Sequence, residues 1–98
     1  MRVVFSKRAR RQFDTAAAWW REHRDLAPYL FEDEVRQAVM VLAATPYAGA
    51  VGRDERVKGV RRVVLQQTQY VLYYRVHEAR GVVELLRLWH TSRRPPKR

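Results

Sequence analysis

No cysteine occurs among the 98 residues, which excludes disulfides, thiolate nucleophiles and cysteine-based metal sites. The three histidines, His23, His77 and His90, are too scattered along the chain to suggest a metal centre. There is no phosphate loop, no glycine-rich dinucleotide fingerprint and no HExxH segment, and no Ser–His–Asp arrangement stands out. Neither a metal nor an organic cofactor is expected. No apolar run approaches the roughly 20 residues that a membrane span needs. The opening MRVVFSKRARRQF is basic but lacks the apolar segment and small-residue cleavage site of a secretory signal, so the expected compartment is the cytoplasm. Acidic residues are scarce too: ten, against twenty lysines and arginines, for a net charge of +10.

Of those twenty basic residues only Lys7, Lys58 and Lys97 are lysines, which leaves seventeen arginines. Arginine suits bidentate contact with phosphate or carboxylate, and it is also how GC-rich genomes encode basic residues. Such a surface fits nucleic acid, an acidic protein partner, or solubility alone. A hydrophobic content of 47% is that of a globular chain, and the length suits one core, so a single domain over residues 1–98 is expected.

Met1–Phe5 reads as a short strand and Ser6 as a helix N-cap. From Lys7 to about Arg24, Ala9, Phe13, Ala16, Ala17 and Trp20 recur at helical spacing, with Trp19 at the edge of that stripe. Pro28 suits the first position of a second helix, and Glu32, Asp33 and Glu34 favour its early turns. Phe31, Val35, Ala38, Val39 and Leu42 give the second apolar stripe, and Pro46 ends it. The two helices read as a hairpin, in preference to a helix-turn-helix. After a loop over Pro46–Arg56, three strands follow, near Val57–Gln66, Tyr70–His77 and Val82–His90, joined by short antiparallel turns. Leu86 and Leu88 look like a core pair, with Arg87 and Trp89 opposite. The basic tail, about 91–98, is not expected to extend the sheet past Pro95. The fold expected is α+β: an N-terminal strand and helical hairpin packed on a twisted antiparallel sheet with one open face.

The strands carry Arg61, Arg62, Arg75 and Arg87, with His90 at their end and Arg93 and Arg94 just beyond. Strands that only build a core are poor in charge, so these side chains read as presented to a ligand. Arg61 and Arg75 in particular suit charge-assisted hydrogen bonds to phosphate, or to the carboxylates of an acidic partner. If chemistry occurs, metal-free cleavage of RNA is the natural reaction. The 2′-OH would attack, the arginines would stabilise the transition state and His90 would move a proton. His90 fits equally well as a strand-end cap, and Tyr73 and Tyr74 as packing residues.

The order of FS after the first strand, LAATPYAG, GVRRV, YVLYYRV and LLRLWHTSRRP resembles the RelE/ParE superfamily of toxins from type II toxin–antitoxin modules. The resemblance covers most of the chain. It implies the α+β fold above and a cognate antitoxin that is acidic where it wraps the toxin. Exposed aromatics on the helical hairpin and the sheet edge need shielding, so the antitoxin is expected to cross there. Two activities occur in the superfamily: RelE-like members cut messenger RNA on the ribosome, and ParE-like members poison DNA gyrase. In the RNase case Arg61, Arg75 and His90 match the catalytic positions. However, the lysine-rich segment of RelE-like enzymes is here mostly arginine, with only Lys58, and no tyrosine follows Tyr74. The string YRVHEARGVVELLRLWHTSRR is closer to the ParE-like members. That likeness implies a gyrase poison with target or phosphate contacts at Arg61, Arg62, Arg75, Arg87, Arg93 and Arg94. The alternatives are the ribosome-dependent endoribonuclease and a non-toxic basic nucleic-acid-binding module.

Overall fold

Ser6 joins the two layers of the molecule. Its hydroxyl accepts from the Ala9 N–H at 3.0 Å, which caps the first helix, and donates to the Leu86 carbonyl at 2.9 Å. Its own N–H reaches the Leu85 carbonyl at 2.9 Å, so the helix start is fixed to the last strand. The computed structural model describes residues 1–52 and 58–92.

Helix α1 spans Lys7–His23 and buries Ala9, Ala16 and Ala17, with Phe13 and Trp20 packed beside them, as the helical spacing predicts. Helix α2 spans Leu30–Ala44 and buries Phe31, Val35, Ala38 and Leu42. Pro28 is not its first residue: it lies in the connecting turn, where the Leu30 N–H bonds the Ala27 carbonyl, and Tyr29 takes the N-cap position. Phe13 meets Phe31 at 5.5 Å between ring centroids, and Arg21 grips Glu32 with two bonds of 2.8 and 2.9 Å, which closes the hairpin. Glu34 does more than start a helix. Its carboxylate accepts from the Gln67 and Thr68 N–H groups and from the Thr68 hydroxyl at 2.7–2.9 Å, which docks α2 onto the turn between two strands.

The sheet has five strands in the order β1-β5-β4-β3-β2: β1 Arg2–Phe5, β2 Ala50–Val51, β3 Val60–Leu65, β4 Tyr70–His77 and β5 Val82–His90. β3 starts three residues later than expected, and the expected first residue, Val57, lies outside the described residues. The loop after Pro46 contains the two-residue β2. Every neighbouring pair is antiparallel except β1 and β5, which run parallel.

Leu86 is not a core partner of Leu88. The register steps from Tyr73 opposite Arg87 to Tyr74 opposite Leu85, so Leu86 is the extra residue of a β-bulge. Beyond the bulge the alternation is reset, and Leu85 and Val83, fully buried, line the core with Leu88. Toward the helices the sheet presents Leu65, Tyr70, Leu72, Tyr74, Val83, Leu85 and Leu88.

The segment from Thr45 to Gly49 seals the edge of this core. Gly49 donates its N–H to the buried Tyr74 hydroxyl at 2.8 Å, and an added Cβ there would sit 2.6 Å from that oxygen and 2.7 Å from the Arg62 carbonyl. Gly49→Ala is therefore expected to cost about 1–3 kcal/mol of stability, read as a lower urea midpoint at unchanged slope. Among the described residues no helix is long and apolar enough to cross a membrane, and no group of three or more acidic or histidine side chains is placed to hold a metal.

Candidate functional site

The sheet face turned away from the helices is organised in rows across β3, β4 and β5. Cα partners share a face, so the register gives Arg62–Tyr73–Arg87 as the central row. Val64–Val71–Trp89 flanks it on one side and Val60–Arg75–Glu84 on the other. Neighbouring strands lie about 4.8 Å apart and successive rows about 7 Å apart, so Arg62, Arg75 and Arg87 converge on one patch. Arg87 lies over the Tyr73 ring, its guanidinium carbon 4.0 Å from the centroid. That cation–π contact holds Arg87 along the sheet. Arg62 and Val64 are exposed, and Tyr73, Arg75 and Trp89 are half-buried. One carboxylate enters the patch: Glu84 accepts from His77 Nε2 at 2.9 Å. Chemically such a patch can pair with anions, and it has an aromatic platform and an apolar margin.

Arg61 is not part of it. It pairs with Tyr74 and so faces the helix side. Its guanidinium donates to the Gly49 carbonyl at 2.8 Å and the Tyr47 carbonyl at 3.2 Å, and stands over the Tyr47 ring at 5.0 Å. Tyr47 in turn donates its hydroxyl to Glu78, a bond that pushes the phenol above its ordinary pKa. Arg61 thus fastens the loop that seals the core.

His90 is also separate. It pairs with Tyr70 on the helix side, about 10 Å along the strand from the Arg–Tyr–Arg row. Its ring meets Tyr70 edge-on at 5.0 Å. The Ser92 N–H lies 3.2 Å from His90 Nδ1, and a backbone N–H can only donate. That bond assigns the neutral ring the tautomer with its proton on Nε2. Arg93 and Arg94 lie outside the described residues.

The sequence profile of the ParE toxin of the type II toxin–antitoxin system, parDE, matches residues 3–95. The chain belongs to the ParE toxin family. Comparison with curated proteins gave no match. Solved structures show where the ParE-family fold of this chain recurs. The chromosomal ParDE toxin–antitoxin system from P. aeruginosa superposes with a TM-score of 0.62 at 18% identity, over 92% of this chain and 95% of that one. The RelBE2 toxin–antitoxin complex from Mycobacterium tuberculosis gives 0.65 at 24%, over 91% and 95%. The isolated E. coli RelE toxin gives 0.63 at 16%, over 95% and 86%. The α+β architecture is thus common to ParE and RelE toxins.

In this ParE-family chain the structure brings together three of the arginines picked out by sequence, Arg62, Arg75 and Arg87. It adds Tyr73, His77 and Glu84, which sequence reasoning did not single out as a group. Counting the HEARG turn as a tight hairpin is enough to place His77 and Glu84 diagonally across two strands. The Arg62–Tyr73–Arg87 row needs the bulge as well, and nothing local in the sequence marks it.

Proposed function

We propose that the chain is a ParE-like toxin that arrests growth by binding DNA gyrase through its open sheet face, without hydrolysing a substrate. One observation carries this reading: the face gathers Arg62, Arg75 and Arg87 around Tyr73, while His90, the proton carrier of the alternative RNase reading, stands on the opposite side of the sheet. Anion binding needs only the arginines; cleavage of RNA needs a proton-transfer group beside them. The open face also carries the His77 imidazole, paired with Glu84, and His77→Ala tests for proton transfer there. Neutralisation by an acidic antitoxin fits the net charge of +10. Met40 and Val41, more than half exposed on α2, and Val51 on the sheet edge are the apolar surfaces that such an antitoxin would cover.

His90→Ala and His77→Ala are each expected to retain growth arrest within about threefold of the parent in inducer dose, because loss of a general acid or base would cost about 10²–10⁴-fold. New transcript ends within translated codons, abolished by either substitution, would reverse the assignment in favour of a ribosome-dependent endoribonuclease.

A further inference from the structure

A second site lies on the helix side of the sheet, where α1 passes the end of β5. Two adjoining cavities of about 380 and 230 Å³ share Trp19, Tyr70 and His90 as walls. The larger falls within the range of about 300–1,000 Å³ usual for small-molecule sites. Arg11, Gln12 and Thr15 border the larger cavity, and Arg24 the smaller. Among the described residues no aspartate or glutamate borders either one. The groove is therefore both aromatic and cationic.

Its walls are fixed before anything binds. Trp19 stacks on His23 at 4.7 Å with the rings 10° apart, and its edge meets Trp20 at 6.0 Å. Arg24 stands over both indoles, at 5.0 and 5.5 Å. Tyr70 is held between Phe31 at 4.8 Å and His90 at 5.0 Å. Gln12 spends its carbonyl oxygen on the Leu88 N–H at 2.8 Å, which leaves its amide N–H₂ as a donor. A rigid aromatic wall loses little side-chain freedom when a flat ring packs against it. Packing of the core does not account for Trp19, which is 37% exposed on α1.

We infer that this groove binds a nucleotide unit. The base packs on the Trp19–Tyr70 wall with its polar edge toward Gln12, and the phosphate pairs with Arg11. An aromatic edge can pack against the π face of any base, and an exposed arginine on the rim supplies the charge. The unit is either a free mononucleotide or one residue of a single strand.

The test is a titration of the full chain, followed by tryptophan fluorescence and calorimetry, with AMP, GMP, CMP and UMP, a six-residue single-stranded oligonucleotide, ribose 5-phosphate and inorganic phosphate. Saturable quenching by a mononucleotide, with none from ribose 5-phosphate or phosphate, is the expected result. Trp19→Ala and Arg11→Glu are each expected to weaken it about 10-fold or more, with circular dichroism unchanged, and Arg62→Glu on the open face to leave it within about twofold. Binding of the oligonucleotide alone, with the same sensitivity to Trp19 and Arg11, would identify the strand as the source. The proposal is overturned if neither ligand quenches saturably in the millimolar range. It is equally overturned if Trp19→Ala and Arg11→Glu bind as tightly as the parent.

Discussion

Tyr74→Ala is expected to lower the folding free energy by about 3–5 kcal/mol, the cost of removing a large aromatic side chain from a packed interior. Tyr74 is the largest fully buried side chain, and its ring sits at the bulge opposite Leu85. Its hydroxyl also satisfies the buried Gly49 N–H, so the loss opens a cavity and unties the sealing loop together. Domains of this size are stable by about 5–15 kcal/mol, so the alanine variant should lose a large share of its margin. Tyr74→Phe separates the two contributions. It keeps the packing, strands the Gly49 N–H and should cost about 1–3 kcal/mol. Urea unfolding followed by circular dichroism measures both. A loss below about 1 kcal/mol for the alanine variant would mean that the core is not organised around this ring.

Arg62→Glu combined with Arg87→Glu is expected to abolish growth arrest while leaving a folded protein. A hydrogen bond to a charged group contributes about 1.5–3 kcal/mol, so each removal alone weakens target binding about 10- to 150-fold. Reversal of both charges adds repulsion to that loss. Arg62 is exposed, and substitutions at such positions usually change stability by no more than about 0.5 kcal/mol. Arg61→Gln provides the contrast. It removes the bonds to the Tyr47 and Gly49 carbonyls, so its effect should be on thermal stability, with binding affected only in proportion to unfolding. Inducer dose–response curves beside melting temperatures separate the two. Full toxicity of the double variant would exclude the open face as the target surface.

The contrast between Arg61 and Arg62 shows where sequence reading stops. Helical periodicity located α1 to within a residue and most of the buried face of α2, because spacings of three and four residues bring side chains to one stripe whatever the surroundings. The limits of β4 and β5 were legible from their turns. Strand alternation is different: a shift of one residue moves every side chain to the other face, and only the pairing register sets it. Arg61 and Arg75 look equivalent in the sequence, yet Arg61 pairs with Tyr74 on the helix side and Arg75 with Val60 on the open one. The bulge at Leu86 has the same consequence in β5, where it exchanges Leu86 for Leu85 in the core. The parallel pairing of β1 with β5 joins segments some eighty residues apart, beyond any local signal. His90 was legible as a strand end and not as a neighbour of α1.

The most direct measurement is gyrase supercoiling of relaxed plasmid DNA with the purified chain present, scored for both supercoiled product and cleaved DNA. Poisoning of gyrase through the open face is expected to give loss of supercoiling with accumulation of cleaved DNA at stoichiometric toxin, unchanged by His90→Ala and abolished by the Arg62→Glu, Arg87→Glu pair. Supercoiling at the full rate in the presence of excess toxin would contradict it.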